Sequence, residues 1–518
     1  MAENLYPCHN LHRAHTVRQS TVRIVGTAER IRWGVTVNTI HDAGCLVAGN
    51  WLNDGEYADR VGPYRREPVS RARTARPGDI DAALAYARQG ARHVARLAPA
   101  TRADILERAA AAATARGDHL ARLLALELGK PLKDGRGEIA RVADTLAVAA
   151  AEARAIGGEV LPVAGWGRGV GNTAITQRAP AGPVLAITPF NAPANLLAHK
   201  LAASFAAGNT TIVKPPPQAP AVSTALVELL LEAGMPVEAV QVLHGGGDVG
   251  ARLCAAPEIA VVSFTGGVPA GRAVAHAAGP KRVLLELGGN AATIVCEDAD
   301  VAAAALACAR TGYSNSGQSC ISVQRVYVHR SRFEEFAAAL TAQVKTLVVG
   351  DPMDPATDVG SMVDDDAAER VVRWSAEAAD QGARVTAGGT REGAVMAPTV
   401  VVDPPAEARV VREEVFGALV AVLPYDGFDE VLEECNRSTY GLQAGLFTHD
   451  VRRIVTAWRE LEVGGLVVNG SSNFRLDHVP FGGVKDSGVG RESPRWMIED
   501  FTVTKTLMLK GLSIWGDQ

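Results

Sequence analysis

Apolar positions recur at helical spacing through residues 79–155, where alanine, leucine and arginine dominate and the pattern breaks only near Ala98-Pro99-Ala100 and Gly129-Lys130-Pro131. An apolar residue every three or four positions lays one stripe toward a core, so this stretch predicts several long helices. From Gly182 the pattern changes to short β-prone runs alternating with helical ones. Strands are predicted at 184–188, 211–213, 240–243, 261–264 and 283–285, and helices at 196–207 (closed by Gly208), 222–233, 249–254 and 271–278. Strands alternating with helices in this way form βαβ units, which implies a parallel sheet with helices on each side. After Gly289 a second series begins, with strands at 292–295, 323–328, 400–402, 420–423 and 466–468. The chain reads as α/β, with two open-sheet lobes joined near Gly288 and Gly289. Two polar β-prone segments, 172–178 and 502–509, have no evident partner nearby.

With 518 residues and 47% hydrophobic side chains, the chain is long enough for two or three domains, each with its own core. The formal charge of −5 comes from 57 acids and 52 bases spread along the chain, so no nucleic acid or anionic membrane is expected as a partner. Apolar stretches such as 301–309 are far shorter than the roughly 18 residues a membrane span needs. Seven cysteines without metal-ligand spacing read as reduced thiols in a cytoplasmic protein with no metal site. Residues 1–45 read as a flexible leader without function. The first forty carry five arginines and two acids but lack the apolar core of a secretory signal, which leaves an organellar presequence as the weaker alternative.

The chemistry concentrates in three places. Cys320 sits in Tyr313-Ser314-Asn315-Ser316-Gly317-Gln318-Ser319-Cys320-Ile321, where small and polar neighbours leave a thiol uncrowded. Glu286 lies in Leu285-Glu286-Leu287-Gly288-Gly289-Asn290, and Asn191 closes Thr188-Pro189-Phe190-Asn191 after a strand. A nucleophile, a base and an oxyanion donor are thus all present. A thiol attacks as its thiolate, which a pKa near ~8.5 leaves scarce at neutral pH, so the site must supply a base or a positive potential.

This triple arrangement, from about Leu46 to Lys510, closely resembles the aldehyde dehydrogenase superfamily, in the branch that hydrolyses its acyl-enzyme. The resemblance implies two Rossmann-like lobes, a cofactor domain (46–165 and 182–288) and a catalytic domain (289–495), plus a small β oligomerisation element (166–181 and 496–512). It implies oxidation of an aldehyde to its acid by NAD or NADP through a cysteinyl thiohemiacetal and thioester, in a homodimer or homotetramer. Cys320, Glu286 and Asn191 then carry the catalysis. Lys200 and Glu492 match a lysine and glutamate that relay protons, with a structural ion pair as the alternative reading.

On the cofactor side the resemblance assigns Ile187, Thr188, Pro189, Leu287, the ribose lysine Lys214, and the nicotinamide-ribose clamp Glu414 with Phe416. Gly245-Gly246-Gly247-Asp248-Val249-Gly250 satisfies the dinucleotide fingerprint, in which Gly247 faces the phosphates, but a simple turn explains three consecutive glycines equally well. The turn Phe264-Thr265-Gly266-Gly267 offers amides to a phosphate at a helix start, though Gly267 stands where the family usually has serine. Pro217 replaces the glutamate that many members place against the 2′-hydroxyl of NAD, which opens the site to NADP.

The segment 471–483 resembles the family loop that closes the substrate tunnel. Arg475 and His478 are read as contacts for an anionic or hydroxylated aldehyde, with Phe481, Tyr313, Ser319 and Ile321 completing the tunnel. Pairing of Arg475 with Asp477 or another carboxylate is the competing reading. The expected substrate is a small polar aldehyde. The alternatives are a specialised anionic one (semialdehyde, sulfo-, phosphono- or hydroxyaldehyde), or a non-catalytic relative that kept the fold. Serine at 319, where branches acting on phosphorylated glyceraldehyde carry arginine, counts against that substrate.

Overall fold

The structure is a computed structural model and describes residues 40–514. The first sheet has eight strands in the order Gly488–Val489, Arg282–Glu286, Val261–Thr265, Val184–Ile187, Thr211–Lys214, Val240–Val242, Cys45–Val47, Asn50–Leu52. The five from Arg282–Glu286 to Val240–Val242 are parallel, and the outer ones are antiparallel. Helices bury them on both faces. In Pro193–Ala207 every residue is buried, and the helix ends at Gly208, whose φ of 90° suits a left-handed cap. Chain direction across the sheet reverses between Val184–Ile187 and Val261–Thr265, where open α/β sheets bind ligands beyond the carboxyl ends of their strands. Ile187, Lys214, Thr265 and Glu286 are the last residues of four of these strands.

The second sheet runs Arg384–Ala387, Thr399–Val402, Leu419–Tyr425, Arg325–His329, Ala292–Val295, Gln443–Phe447, Gly465–Val468 and is parallel except at its first pair. Gln443–Phe447 lies inside this sheet although the sequence pattern does not predict it. Its sequence Gln-Ala-Gly-Leu-Phe has no β-branched residue, and Gly445 is required because a Cβ there would come within 2.7 Å of the Gly470 carbonyl oxygen.

Three boundaries differ from the sequence reading. Most of the proposed leader lies outside the described residues, but its end is structured: His41–Ala43 pairs with Pro68–Arg73, and Cys45–Val47 joins the first sheet. The strands between residues 41 and 73 are too short to give a periodic signal. The catalytic segment ends before 495. Gly488–Val489 pairs with Leu285 and Glu286, and Met497, Ile498 and Phe501 pack into the core of the first lobe. The third change is in the small sheet of Val160–Leu161, Thr173–Pro180 and Thr502–Leu509, which draws its first strand from the segment assigned to the cofactor domain. Its long pair is antiparallel over eight residues and leaves Val503, Leu507 and Met508 exposed. Among the described residues no helix is long and apolar enough to cross a membrane.

Candidate active site

A cleft of about 890 Å³ opens at the carboxyl ends of the first sheet. The first lobe lines it with Ile187, Thr188, Pro189, Asn191, Lys214, Pro217, Gly247, Phe264, Thr265, Gly266, Gly267 and Leu287, and the second lobe with Cys320, Glu414 and Phe416. Phe416 stacks edge-on against Phe190 with ring centroids 5.9 Å apart.

Several groups in this cleft wait for polar partners. The buried hydroxyl oxygens of Thr188 and Thr265 have none, and Gly247 has nothing within 4 Å of where a Cβ would stand. Lys214 is 7% exposed and makes no ion pair among the described residues. Burial lowers its pKa to about 8, with Asp248 opposing. These features fit a ligand with phosphates and ribose hydroxyls, that is, a dinucleotide. One expected donor is already engaged, because the Gly266 amide donates to the Glu286 carbonyl at 3.0 Å.

Cys320 follows an unusual backbone. Asn315, Ser316 and Gly317 all have positive φ (51°, 56° and 73°), and a Cβ on Gly317 would strike the Gly417 carbonyl. Gln318 locks the turn: its Nε2 donates to Asn315 O at 3.2 Å and its Oε1 accepts from Val363 N–H at 2.9 Å. The thiol is partly exposed and packs with Ile321, Leu442 and Phe481. Burial, then the neighbouring Glu414 and Glu286, push its pKa up to about 12, with Arg475 opposing. Gly289 lets the Cys320 backbone approach, since a Cβ there would collide with the Cys320 carbonyl oxygen. The Gly289 N–H donates to Glu414 Oε1 at 2.9 Å, so one glycine turn sets two parts of the site.

Asn191 is held by its carbonyl, which accepts from Lys130 Nζ at 2.6 Å and Asn315 Nδ2 at 3.0 Å. Lys130 pairs with buried Glu138, whose other oxygen accepts the Ala194 and Asn195 amides at the start of helix Pro193–Ala207. The Asn191 side-chain amide makes no hydrogen bond among the described residues and so remains available in the cleft.

Glu286 lies behind the cleft rather than in its wall. It is 7% exposed, its Oε2 has no hydrogen-bond partner, and a Cβ on Gly482 would sit 2.8 Å from its Oε1. Burial, reinforced by Glu492, holds its carboxyl well above the usual carboxylate range, with Arg475, Lys200 and Arg491 opposing. Glu492 stays ionised: burial opposes it, but Lys200 (3.3 Å) and Arg475 (2.7 Å) prevail and lower its pKa. Farther back, Asp477 accepts both Arg141 nitrogens at 2.7 and 3.0 Å and lies 2.9 Å from His199 Nε2. The same nitrogen is 3.1 Å from Arg475 Nη2, so it serves the carboxylate or the guanidinium but not both.

The profile of the Aldehyde dehydrogenase family matches residues 51–507. The chain is 40% identical over 475 residues to the 3-sulfolactaldehyde dehydrogenase of Priestia aryabhattai, covering 92% of this chain and 99% of that one. This chain belongs to the aldehyde dehydrogenase family. Its structure is similar to aldehyde dehydrogenase 21 from Physcomitrella patens, solved in complex with the reaction product succinate, with a TM-score of 0.89, 34% identity, and 92% and 100% of the two chains covered. An E. coli NADP dependent enzyme gives a TM-score of 0.88 at 33% identity, over 91% and 98%. As a family member the chain is an oxidoreductase acting on the aldehyde group with NAD or NADP.

Several residues sit differently from their expected places around this dehydrogenase site. Tyr313 does not line the cleft: it is 1% exposed and its hydroxyl donates to Thr399 O at 2.9 Å, inside the second lobe. His478 is exposed and lines no part of the cleft. Ser319 also lies off its walls, its hydroxyl accepting from the Ile321 N–H at 3.4 Å. Arg475 stacks on Phe481 at 4.2 Å and binds Glu492, the competing reading of its charge, yet it also lines a second cavity of about 280 Å³ with Phe481, Phe474 and Leu476. Lys200 and Glu492 form the buried ion pair that was the alternative to proton relay.

A thiol raised this far stays protonated near neutrality, so its thiolate fraction grows with pH throughout the accessible range. In the protein without cofactor, alkylation of the Cys320 peptide by iodoacetamide is expected to accelerate about tenfold per pH unit between pH 7 and 9. Mass spectrometry of the labelled peptide reads this, and a plateau below pH 9 contradicts the environment described for the thiol.

Proposed function

We propose that the chain oxidises a small aldehyde bearing an anionic or hydroxylated head to its carboxylic acid, with Cys320 as nucleophile. When bound, the nicotinamide dinucleotide supplies the hydride acceptor. Cys320 adds to the carbonyl as its thiolate, its proton passing to solvent in the open cleft. The Asn191 amide and the Cys320 N–H, neither engaged among the described residues, stabilise the oxyanion, a contribution of about 3 kcal/mol per donor. After oxidation Glu286 activates water against the thioester. Its raised pKa suits this work, because a more basic carboxylate takes the proton of water more readily. Lys200 and Glu492 hold a proton path or a fixed field behind it.

One observation favours the anionic head among polar substrates. The guanidinium of Arg475 lines the second cavity together with Phe481, which packs against Cys320. The sulfonate named for the Priestia relative and the succinate named for the Physcomitrella enzyme agree with this reading. Among aldehydes of equal length ending in sulfonate, carboxylate, hydroxyl or methyl, the anionic ones are expected to give a kcat/KM at least about tenfold above the methyl analogue. Equal values across the panel would remove the anionic head from the proposal.

For the cofactor we propose that NADP is accepted. Glu414 is the only carboxylate lining the cleft among the described residues, and Asp248, which acts on Lys214, is not part of that lining. Pro217→Glu is expected to shift the NADP to NAD ratio of kcat/KM toward NAD by about tenfold, because a carboxylate there repels a 2′-phosphate and accepts from a free 2′-hydroxyl. An unchanged ratio assigns the 2′-position to another residue. We also propose a cytoplasmic homodimer or homotetramer. Exposed Val503, Leu507 and Met508 on the small sheet support the oligomer, and six described cysteines without a disulfide support the compartment.

A further inference from the structure

The turn before Cys320 keeps a conformation that its own residues disfavour. Asn315 and Ser316 are consecutive non-glycine residues in the left-handed region, with φ of 51° and 56°, and the buried Ser316 hydroxyl has no hydrogen-bond partner to compensate. Such a backbone persists only where its surroundings dictate it. Gln318 holds the turn to the second lobe through the Val363 N–H. Two further ties come from the first lobe: Asn315 Nδ2 donates to Asn191 O at 3.0 Å, and the Asn315 N–H donates to Asp134 Oδ2 at 2.7 Å.

Asp134 is the third residue of helix Leu132–Ala155. Contacts that do not involve the nucleophile seat the start of this helix against the second lobe. The Leu132 N–H donates to Pro352 O at 2.8 Å, the Ser361 N–H donates to Gly129 O at 3.2 Å, and Lys133 pairs with Asp358. The carboxylate thus reaches the turn from a fixed support. Burial raises its pKa, with the Asn315 amide, Lys130, Lys133 and the Ser314 hydroxyl opposing. Burying a carboxylate costs free energy, and among the described residues the hydrogen bonds that compensate this one come from Ser314 and Asn315.

We propose that Asp134 is a positioning residue for Cys320: by accepting the Asn315 N–H it holds the left-handed turn and so sets where the thiol stands against the Asn191 amide. The inference rests on Cys320 being the nucleophile. Asn315 joins both partners of the chemistry, since its backbone belongs to the nucleophile turn while its side chain grips the Asn191 carbonyl. Loss of the Asp134 acceptor lets the strained backbone relax, and a displacement of about 1 Å at a reacting atom is enough to cost about 100-fold in rate.

The test compares full-length wild type with Asp134→Asn and Asp134→Leu, which fill similar space while only the first keeps an acceptor. Lys133→Ala, which breaks the neighbouring tie between the lobes, and Cys320→Ala are the controls. Rapid mixing gives the first-turnover rate of nicotinamide reduction, steady-state kinetics the KM for aldehyde, fluorescence the Kd for NADP⁺, and thermal melts the folding control. Asp134→Leu is expected to slow the first turnover about 30-fold or more with KM and Kd within about threefold, and Asp134→Asn to recover most of the rate. Lys133→Ala is expected to stay within about twofold of wild type, because its ion pair is exposed. Adding Ser316→Gly to Asp134→Leu is expected to restore at least about threefold, because glycine adopts the left-handed backbone freely. If Asp134→Leu does not fold, Asp134→Ala takes its place with the same expectations. A first turnover in Asp134→Leu within about threefold of wild type, an Asp134→Asn variant as slow as the leucine one, or an equal loss in Lys133→Ala overturns the role of Asp134 and leaves Cys320 as nucleophile. Turnover by Cys320→Ala at the wild-type rate overturns both.

Discussion

Glu286→Gln is expected to release one equivalent of reduced nicotinamide per active site and then nearly stop, with steady-state turnover down about 10²–10⁴-fold. Acylation needs the thiol, the oxyanion donors and the hydride acceptor, whereas hydrolysis of the thioester also needs a base for water. Glu286 suits that second role because its carboxyl is buried, lacks a partner on Oε2, and sits beside the ionised Glu492. Glutamine keeps the shape and removes the basicity. Rapid-mixing absorbance of the reduced nicotinamide measures burst and steady state together. A variant without a burst moves Glu286 into the first half-reaction, and one with normal turnover takes it out of the mechanism.

Gly289→Ala is expected to reduce turnover at least about 100-fold and to destabilise the fold by about 1–3 kcal/mol. The added methyl has nowhere to go, since it collides with the Cys320 carbonyl and its other neighbour is Leu442 Cβ at 3.4 Å. Relief requires moving the nucleophile's backbone or the Gly289 amide that anchors Glu414. Gly137→Ala is the matched control, because Gly137 lies within helix Leu132–Ala155 with nothing within 4 Å of where the methyl would stand. It is expected to leave turnover unchanged and to raise the melting temperature slightly. Equal behaviour of the two variants in thermal melts and steady-state kinetics would show that the Gly289 contact does not position Cys320.

How legible each element was in the sequence follows from where its information lies. Strands such as Val261–Thr265 and Ala292–Val295 are buried on both faces, so their composition alone marks them. Gln443–Phe447 is equally central but carries Gly445 to admit a neighbouring backbone, which erases the β-prone signal. Cys320, Glu286 and Asn191 stand in local motifs whose glycines and small residues exist to admit them. Lys130, in the break before helix Leu132–Ala155, and Glu138, within that helix, hold the Asn191 backbone, yet in the sequence a lysine and a glutamate of this stretch read as solvated charges. Arg141 and His199 are equally silent, since each acquires meaning from Asp477, far along the chain. Tyr313 misled for the converse reason: proximity in sequence to Cys320 says nothing about side-chain direction, and the ring turns into the second lobe.

The central claim is that the Cys320 sulfur carries the acyl group between oxidation and hydrolysis. Peptide mass spectrometry of Glu286→Gln, quenched in acid after mixing with NADP⁺ and an accepted aldehyde, tests it directly. The expected result is a Cys320 peptide heavier by the mass of the acyl group less one hydrogen, at a stoichiometry matching the nicotinamide burst. A burst with the Cys320 peptide unmodified, or with the acyl group on another residue, contradicts the account.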